Sequence, residues 1–186
     1  MICLKIIENV NEATANEFHL HTKKGCTMAG VSRKQTGSIL TNDCYVNAPG
    51  QSSNTGCGVS TTDKRTYGRG LNAINGGVYA MRMAAGTGIQ VWFFPRGSIP
   101  SDISSGKVNP TSWPTPIADF PFKAGSCDLT YFNNMNIIFN LAFCGDWAGN
   151  VYGNSGCPST CTDYVANNPH AFSDAYWSIN YLKVYQ

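Results

Sequence analysis

Charged side chains are scarce in this chain of 186 residues: lysine, arginine, aspartate and glutamate together make up 13% of it, and the net charge is +2. The densest basic stretch consists of Lys23, Lys24, Arg33 and Lys34. Such a sparse group is typical of a solvated loop and not of a phosphate-binding surface. We therefore expect no nucleic-acid partner.

Long apolar runs are also missing. A membrane span needs roughly 20 apolar residues, and no run in the chain approaches that length. Residues 1–7 are too short for a signal peptide and lack a small-residue cleavage site. The sequence predicts neither a membrane contact nor a leader within these residues.

Cysteine, in contrast, is abundant, with eight residues in loop-like settings such as "KKGCTM", "NTGCGV" and "SGCPSTC". This usage is typical of a disulfide framework formed in an oxidising compartment, but spacing alone does not assign the bridges. Cys157 and Cys161 lie close in sequence, yet no histidine stands at ligand spacing from them. We therefore predict disulfides, and neither a metal site nor a cofactor.

Hydrophobic periodicity is mostly that of strands, and no helical period extends over three turns. "EFHLHT" places Phe18 and Leu20 on one face and its histidines on the other, and "NIIFNLAF" alternates in the same way. "GGVYAMRM" and "IQVWFFPRG" predict a hairpin across "AAGTG", and "YWSINYLKVYQ" predicts a closing strand. "DYVANNPHAF" predicts a single helical turn that Pro169 ends.

Polar, glycine-rich stretches connect these segments, above all residues 42–77 and 97–127. Short alternating strands joined by long loops are typical of an antiparallel β-sandwich whose loops shape a ligand cleft. Neither an internal repeat nor an interdomain linker is visible. We predict an all-β fold and a single domain over 1–186.

An ordered set of motifs carries a family resemblance. It includes "IIENVNEATANEFHLHTKKGCTM", "VWFFPRG", "IIFNLAFCGDWAGNVY", "GCPSTCTDYVANNPHAF" and "AYWSINYLKVYQ". From Ile6 to the C-terminus, residues 6–186, the chain resembles the fungal laminarinase-like branch of glycoside hydrolase family 16. The resemblance implies a concanavalin A-like jelly roll, secretion, and retaining hydrolysis of β-1,3 or mixed-linkage β-glucan.

The family's active-site pattern is Glu-x-Asp-x-x-Glu on one strand. Positions one and three share a strand face, so an extra, bulged residue is needed to turn the last Glu toward the same cleft. A retaining glycosidase needs its two carboxylates roughly 5 Å apart. The resemblance implies that the first Glu is the nucleophile, the Asp its support, and the last Glu the general acid/base.

On this sequence the pattern falls on Cys3, Lys5 and Glu8. Glu8 corresponds to the acid/base, whereas a thiol stands at the nucleophile position and a cation at the supporting position. A neighbouring cation favours the ionised form of Glu8, which opposes proton donation. We therefore expect hydrolysis to be absent or strongly impaired.

The resemblance also implies that about a hundred residues precede the motif strand in the family, so the jelly roll is expected to be incomplete at its N-terminal side. Two hypotheses account for this together with the substituted motif. In the first, "MICLK" is unrelated sequence joined to family sequence at Ile6. In the second, which does not explain the missing half, the chain is an evolved pseudoenzyme.

Other residues have competing interpretations. His21 either orients substrate or Glu8, or is structural. Asn140 either binds sugar hydroxyls or is satisfied by backbone, and Trp147 in "GDWAG" is interpreted as a sugar-stacking aromatic in a loop. We place Trp92 and Trp177 in the core. Trp113 could belong to either environment, and Asp146 is assigned to a turn beside Gly145.

Three functions remain open: an endo-β-glucanase, a noncatalytic β-glucan-binding protein, and a fragment without a function of its own. β-Glucan polysaccharide or oligosaccharide is the partner in the first two, and no obligate protein partner is predicted. Since Cys3 does not stand at a family cysteine position, we expect at least one free thiol.

Overall fold

A computed structural model describes residues 3–186, so Met1 and Ile2 of the "MICLK" stretch lie outside the described residues. The described strands are β1 Cys3–Glu8, β2 Glu17–His21, β3 Ser38–Ile39, β4 Cys57–Ser60, β5 Gly77–Ala84, β6 Gly88–Pro95 and β7 Ala118–Phe120. The α-helices are α1 Gly68–Ala73, α2 Ser101–Ser105, α3 Gly145–Val151 and α4 Cys161–Asn167. Turns of 3-10 helix occupy Lys64–Thr66, Arg96–Ser98, Pro110–Ser112, Leu129–Tyr131, Tyr152–Asn154 and Pro169–Phe172.

The helices are short, as the missing helical periodicity predicts, and none in the described part of the chain has more than seven residues. Within residues 3–186 no helix is both long and apolar enough to cross a membrane. The turn predicted before Pro169 is present as α4, which ends at Asn167.

The strands form two sheets. One has the order β1-β2-β4-β3 and the other the order β5-β6-β7, and every pairing between these strands is antiparallel. The predicted hairpin across "AAGTG" is confirmed, with Gly77 opposite Pro95 and Ala84 opposite Gly88. The all-β, antiparallel prediction is therefore correct.

The two sheets share one apolar core. Phe18, Leu20 and Val59 of the first sheet cluster with Ile89 and Phe120 of the second, and all five side chains are fully buried. The alternation in β2 is thus confirmed, because its apolar face forms part of this core. A sandwich of two sheets follows from this arrangement.

Strand β6 lies between two partners and is buried on both faces. Ile89 and Val91 join the main core, whereas Trp92 and Phe94 join a second cluster on the other face, against which Trp113 packs. A strand covered on both faces has a continuous apolar sequence, which explains "IQVWFF". The prediction that Trp92 is a core residue is confirmed, and Trp113 belongs to the same cluster.

Three disulfides confirm the predicted framework: Cys26–Cys127, Cys44–Cys57 and Cys144–Cys161. The first closes a separation of 101 residues and the second one of 13. In the chain-entropy view, the long loop contributes about 5 kcal/mol to stability and the short one about 3 kcal/mol. Cys3 and Cys157 are the free cysteines among the described residues, so the expectation of at least one free thiol is met.

The described residues divide into two compact units. The first contains residues 3–9 and 14–135, with both sheets, and the second contains residues 10–13 and 136–186. In the second unit, Asn11 Nδ2 donates to the carbonyl of Ala148 (3.0 Å) and to Ser155 Oγ (3.2 Å).

Two strand predictions in the second unit are wrong. Neither "NIIFNLAF" nor "YWSINYLKVYQ" forms a strand, and their apolar side chains, among them Ile137, Phe139 and Tyr181, are exposed. Alternation alone does not make a strand, since the backbone N–H and C=O groups need a neighbouring strand to pair with. Trp177, predicted to be in the core, is 40% exposed for the same reason.

The predicted long loops contain regular structure. Residues 42–77 include β4 and α1, and residues 97–127 include α2 and β7. Asp146 lies in the first turn of α3, so the simple turn predicted beside Gly145 is instead the start of a helix.

Candidate active site

The motif strand carries a β-bulge at the predicted place. Lys5 pairs with His19 and Glu8 with Glu17, so β1 has one residue more than β2 between these pairs. Leu4 and Ile6 pack against the core, and without the extra residue Glu8 would follow them inward. The bulge instead turns Glu8 to the face that carries Cys3 and Lys5.

Asn16 holds this bulge in place. Its Oδ1 accepts from the backbone N–H of Glu8 (2.9 Å), and its Nδ2 donates to the carbonyl of Ile6 (2.8 Å). Its own N–H donates to Thr66 Oγ1 (3.0 Å), and the residue is fully buried. The side chain therefore satisfies backbone groups that the irregular ladder leaves without a strand partner.

Lys5 and Glu8 form an ion pair, with Nζ 2.8 Å from Oε1. Burial acts to lower the pKa of Lys5, but the hydrogen bond and charge of Glu8 outweigh it and raise that pKa. The cation expected beside Glu8 is thus in direct contact with it. This oxygen of Glu8 accepts a hydrogen bond from an ammonium group.

Cys3 faces His21 across the strand pair. Cys3 Sγ lies 3.4 Å from His21 Nδ1, and His21 Nε2 lies 3.1 Å from the carbonyl oxygen of Thr55. Burial lowers the pKa of His21, so its neutral form predominates at neutral pH. Burial also raises the pKa of the Cys3 thiol, which the charge of Lys5 counteracts only in part.

His19 and Glu17 continue the polar face of β2. His19 Nδ1 is 3.0 Å from the carbonyl oxygen of Thr55, and its Nε2 is 3.0 Å from Glu17 Oε2. Glu17 is the register partner of Glu8 and supplies a second carboxylate on this face. The Glu17 carboxylate bonds to His19 within the sheet. The position of Glu17 in "EFHLHT", on the same strand face as the histidines, is the sequence signal that could have identified it as a site residue.

Glycines of "NTGCGV" make room for the two histidine rings. A Cβ at Gly58 would lie 2.7 Å from His19 Cε1, and a Cβ at Gly56 would lie 2.6 Å from His21 Cδ2. Gly56 also has a positive φ of 64°, which favours glycine. This motif therefore leaves room for both imidazoles beside β4 and its preceding turn.

Tyr67 lies on the border of the site. Its hydroxyl donates to the carbonyl of Asn9 (2.8 Å), and burial together with the charge of Glu8 raises its pKa. Sequence reasoning missed Tyr67 and Asn16, because both belong to polar segments without periodicity.

The remaining predicted site residues belong to the second unit. Trp147 lies in α3 and not in a loop, and it is 41% exposed. Asn140 lies in no strand, contrary to its predicted place on a polar strand face, and its carbonyl accepts from Trp177 Nε1 (3.0 Å). Among the described residues no group of three or more His, Cys, Asp or Glu could hold a metal.

Comparison with known proteins identifies the family. The family model described as XgeA-like, catalytic GH16 domain matches residues 4–185. The chain belongs to glycoside hydrolase family 16. The match to the family model begins at residue 4, before Ile6, and therefore includes Lys5 of the motif strand.

Individual GH16 relatives agree. A probable glycosidase of Schizosaccharomyces pombe is 46% identical over 98% of this chain and 43% of its own length, and an endo-1,3(4)-β-glucanase of Arthroderma benhamiae is 44% identical over 98% and 40%. The chain therefore spans less than half the length of these relatives.

A solved structure of laminarinase 16A from Phanerochaete chrysosporium superposes with a TM-score of 0.84 at 46% identity, covering 94% of this chain and 58% of that one. That structure has two β-glucans, 6-O-glucosyl-laminaritriose, in the donor and acceptor sites of the laminarinase. The match confirms the jelly-roll fold class for this GH16 chain.

Proposed function

We propose that this GH16 chain is a β-glucan-recognising relative of the retaining endo-β-1,3(4)-glucanases in which hydrolysis is strongly impaired. The observation that carries the proposal is the arrangement on β1. The bulge turns Glu8 to the same face as Cys3 and Lys5, as the family motif requires, but the two companions of Glu8 are a thiol and an ammonium group.

Retaining hydrolysis needs a carboxylate that attacks the anomeric carbon and an acid that protonates the leaving oxygen. In our proposal Glu8 is the acid/base, Cys3 stands at the nucleophile position and Lys5 at the position of the supporting Asp. The ammonium of Lys5 donates to Glu8, so that oxygen is engaged by a donor and not free to deliver a proton. Cys3 has no carboxylate on which the covalent glycosyl intermediate could form.

The substrate-binding roles remain proposals for three residues. His21 is proposed to orient substrate or Glu8, and its contacts with Cys3 and the Thr55 carbonyl support this role because they fix its ring. Trp147 has enough exposed ring surface to stack on a sugar. Asn140 is exposed, and its side-chain amide is proposed to bind sugar hydroxyls.

A noncatalytic β-glucan-binding protein is the second candidate, favoured by the exposed Trp147 and by the substituted motif. A piece of a GH16 domain without independent function is the third, because the chain covers 58% of the laminarinase structure. We propose that residues 1–186 are part of one jelly-roll domain. We also propose secretion, with which the three disulfides are consistent.

Two assays test the proposal. Reducing-end release from laminarin and lichenan is compared with that of the A. benhamiae relative, and we expect rates lower by roughly 10³-fold or more, since the loss of a nucleophile has at least this effect in other enzymes. Retention on insoluble β-1,3-glucan, with cellulose as the control, is expected to be positive. Turnover equal to the relative's would contradict the impairment, and absence of retention would contradict glucan recognition.

A further inference from the structure

The hydrogen bonds of His21 show that the ring nitrogen facing Cys3 is the one that can act as a base. A carbonyl oxygen only accepts, so the 3.1 Å bond to the Thr55 carbonyl requires the hydrogen on Nε2. In the neutral ring, Nδ1 then carries the lone pair, and it lies 3.4 Å from Cys3 Sγ. The thiol therefore donates toward a ring that a third group orients, which is the arrangement of an activated nucleophile.

We propose that Cys3 is a nucleophilic thiol that His21 deprotonates, and that it undergoes exchange with low-molecular-weight disulfides. The proposal goes beyond glucan recognition and does not depend on it. Exchange at Cys3 would place a covalent adduct on the face that carries Glu8.

The exchange needs no reactant besides Cys3, His21 and the small disulfide. Cys3 Sγ forms a bond to one sulfur of the small disulfide, and the bond between the two sulfurs of that disulfide breaks. The proton of Cys3 passes to His21 Nδ1 and then to the departing thiolate, which leaves as a thiol. His21 returns to the neutral form with its hydrogen on Nε2.

The surroundings of Cys3 suit a base-assisted reaction more than a preformed thiolate. Burial raises the pKa of the thiol, so the sulfur is protonated at neutral pH, and its thiolate is the more nucleophilic once formed. Burial lowers the pKa of His21, which keeps the base free of its second proton. Among the residues that the structure describes, the other charged or titratable groups near the pair are Lys5 and Glu8 on β1 and His19 on β2.

Cys157 supplies an internal comparison. It is the other free cysteine among the described residues, and its Sγ has a long contact of 3.9 Å with the carbonyl of Ser155. Both free thiols are half-buried, so exposure alone does not favour Cys3. A carbonyl accepts the hydrogen of Cys157 but takes no proton from it.

The test is the rate of mixed-disulfide formation with glutathione disulfide, followed at each cysteine by peptide mass spectrometry. His21→Gln retains a donor that can reach the Thr55 carbonyl but removes the nitrogen facing Cys3. We expect the Cys3 rate to fall at least about tenfold in this variant, while the Cys157 rate is unchanged. His170→Gln, the control at an exposed histidine of the turn Pro169–Phe172, should leave the Cys3 rate within about twofold of the wild-type rate.

The pH profile separates a base from a merely structural histidine. In the wild-type chain, the Cys3 rate should be nearly flat with pH between the pKa of His21 and that of the thiol. In His21→Gln it should rise about tenfold per pH unit, because only free thiolate then reacts. An unchanged rate and slope in His21→Gln would overturn the proposal, and if that variant does not fold, a tenfold-per-unit slope in the wild-type chain overturns it equally.

Discussion

Replacing Asn16 by alanine is the sharpest test of how the bulge is built. The variant removes the hydrogen bonds of the side chain to the N–H of Glu8 and the carbonyl of Ile6, while the backbone bond to Thr66 remains possible. Each lost bond costs about 1 kcal/mol, and somewhat more where the backbone partner is left without water. Because Ile6 and Glu8 are only half-buried, we expect a total loss of about 2–3 kcal/mol.

The assay is urea unfolding of the wild-type chain and of the variant, followed by near-UV circular dichroism. Asn133→Ala is the matched control, since Asn133 makes one exposed side-chain bond, Nδ2 to the Thr130 carbonyl at 3.0 Å. We expect the control to cost no more than about 0.5 kcal/mol. If Asn16→Ala and Asn133→Ala destabilise the chain equally, Asn16 does not hold the bulge.

Three further predictions concern other parts of the chain. Cys3→Glu combined with Lys5→Asp should not restore strong laminarin hydrolysis. A nucleophile acts only when neighbouring residues hold it rigidly, and the chain covers only 58% of the laminarinase structure. High turnover of this double variant would contradict the prediction. Arg65 lowers the pKa of Asp63, so the contribution of Asp63 to stability is present above pH ~4 and is lost as the pH falls through the lowered value. In Asp63→Asn the free energy of unfolding should therefore depend less on pH in this acid range, with a difference from wild type of less than about 1 kcal/mol. Ile137 is 59% exposed, so we expect the chain to self-associate, as measured by size-exclusion chromatography, and Ile137→Asp to reduce this association. A wild-type chain that elutes as a sharp monomer peak would contradict the prediction.

Sequence patterns predict the parts of the fold in which a local period and a partner strand agree. The hairpin of β5 and β6 follows from two long apolar runs and a tight turn. The bulge between Lys5 and Glu8 follows from the family spacing, since only an extra residue can turn Glu8 to the face of Cys3.

Other parts have no local signal. Strands β4 and β7 are the short segments "CGVS" and "ADF", in which cysteine, glycine and aspartate leave little periodicity to detect. The alternation around Phe139 is present, but a strand also needs a neighbour, and residues 135–143 pair with none in the described part of the chain. Asn16 was missed because a buried asparagine that satisfies backbone groups is recognised only from its tertiary contacts.

A comparison of the reducing ends that this chain and its Glu8→Gln variant release from laminarin shows whether Glu8 still catalyses hydrolysis. Glutamine is close to glutamate in size but cannot exchange a proton, so it removes acid/base catalysis from the face that β1 presents. We predict that the two proteins release reducing ends at the same rate, near background, because in our proposal a thiol at Cys3 and an ammonium group at Lys5 stand where the two-carboxylate reaction needs carboxylates. A wild-type rate well above background that Glu8→Gln abolishes would contradict it.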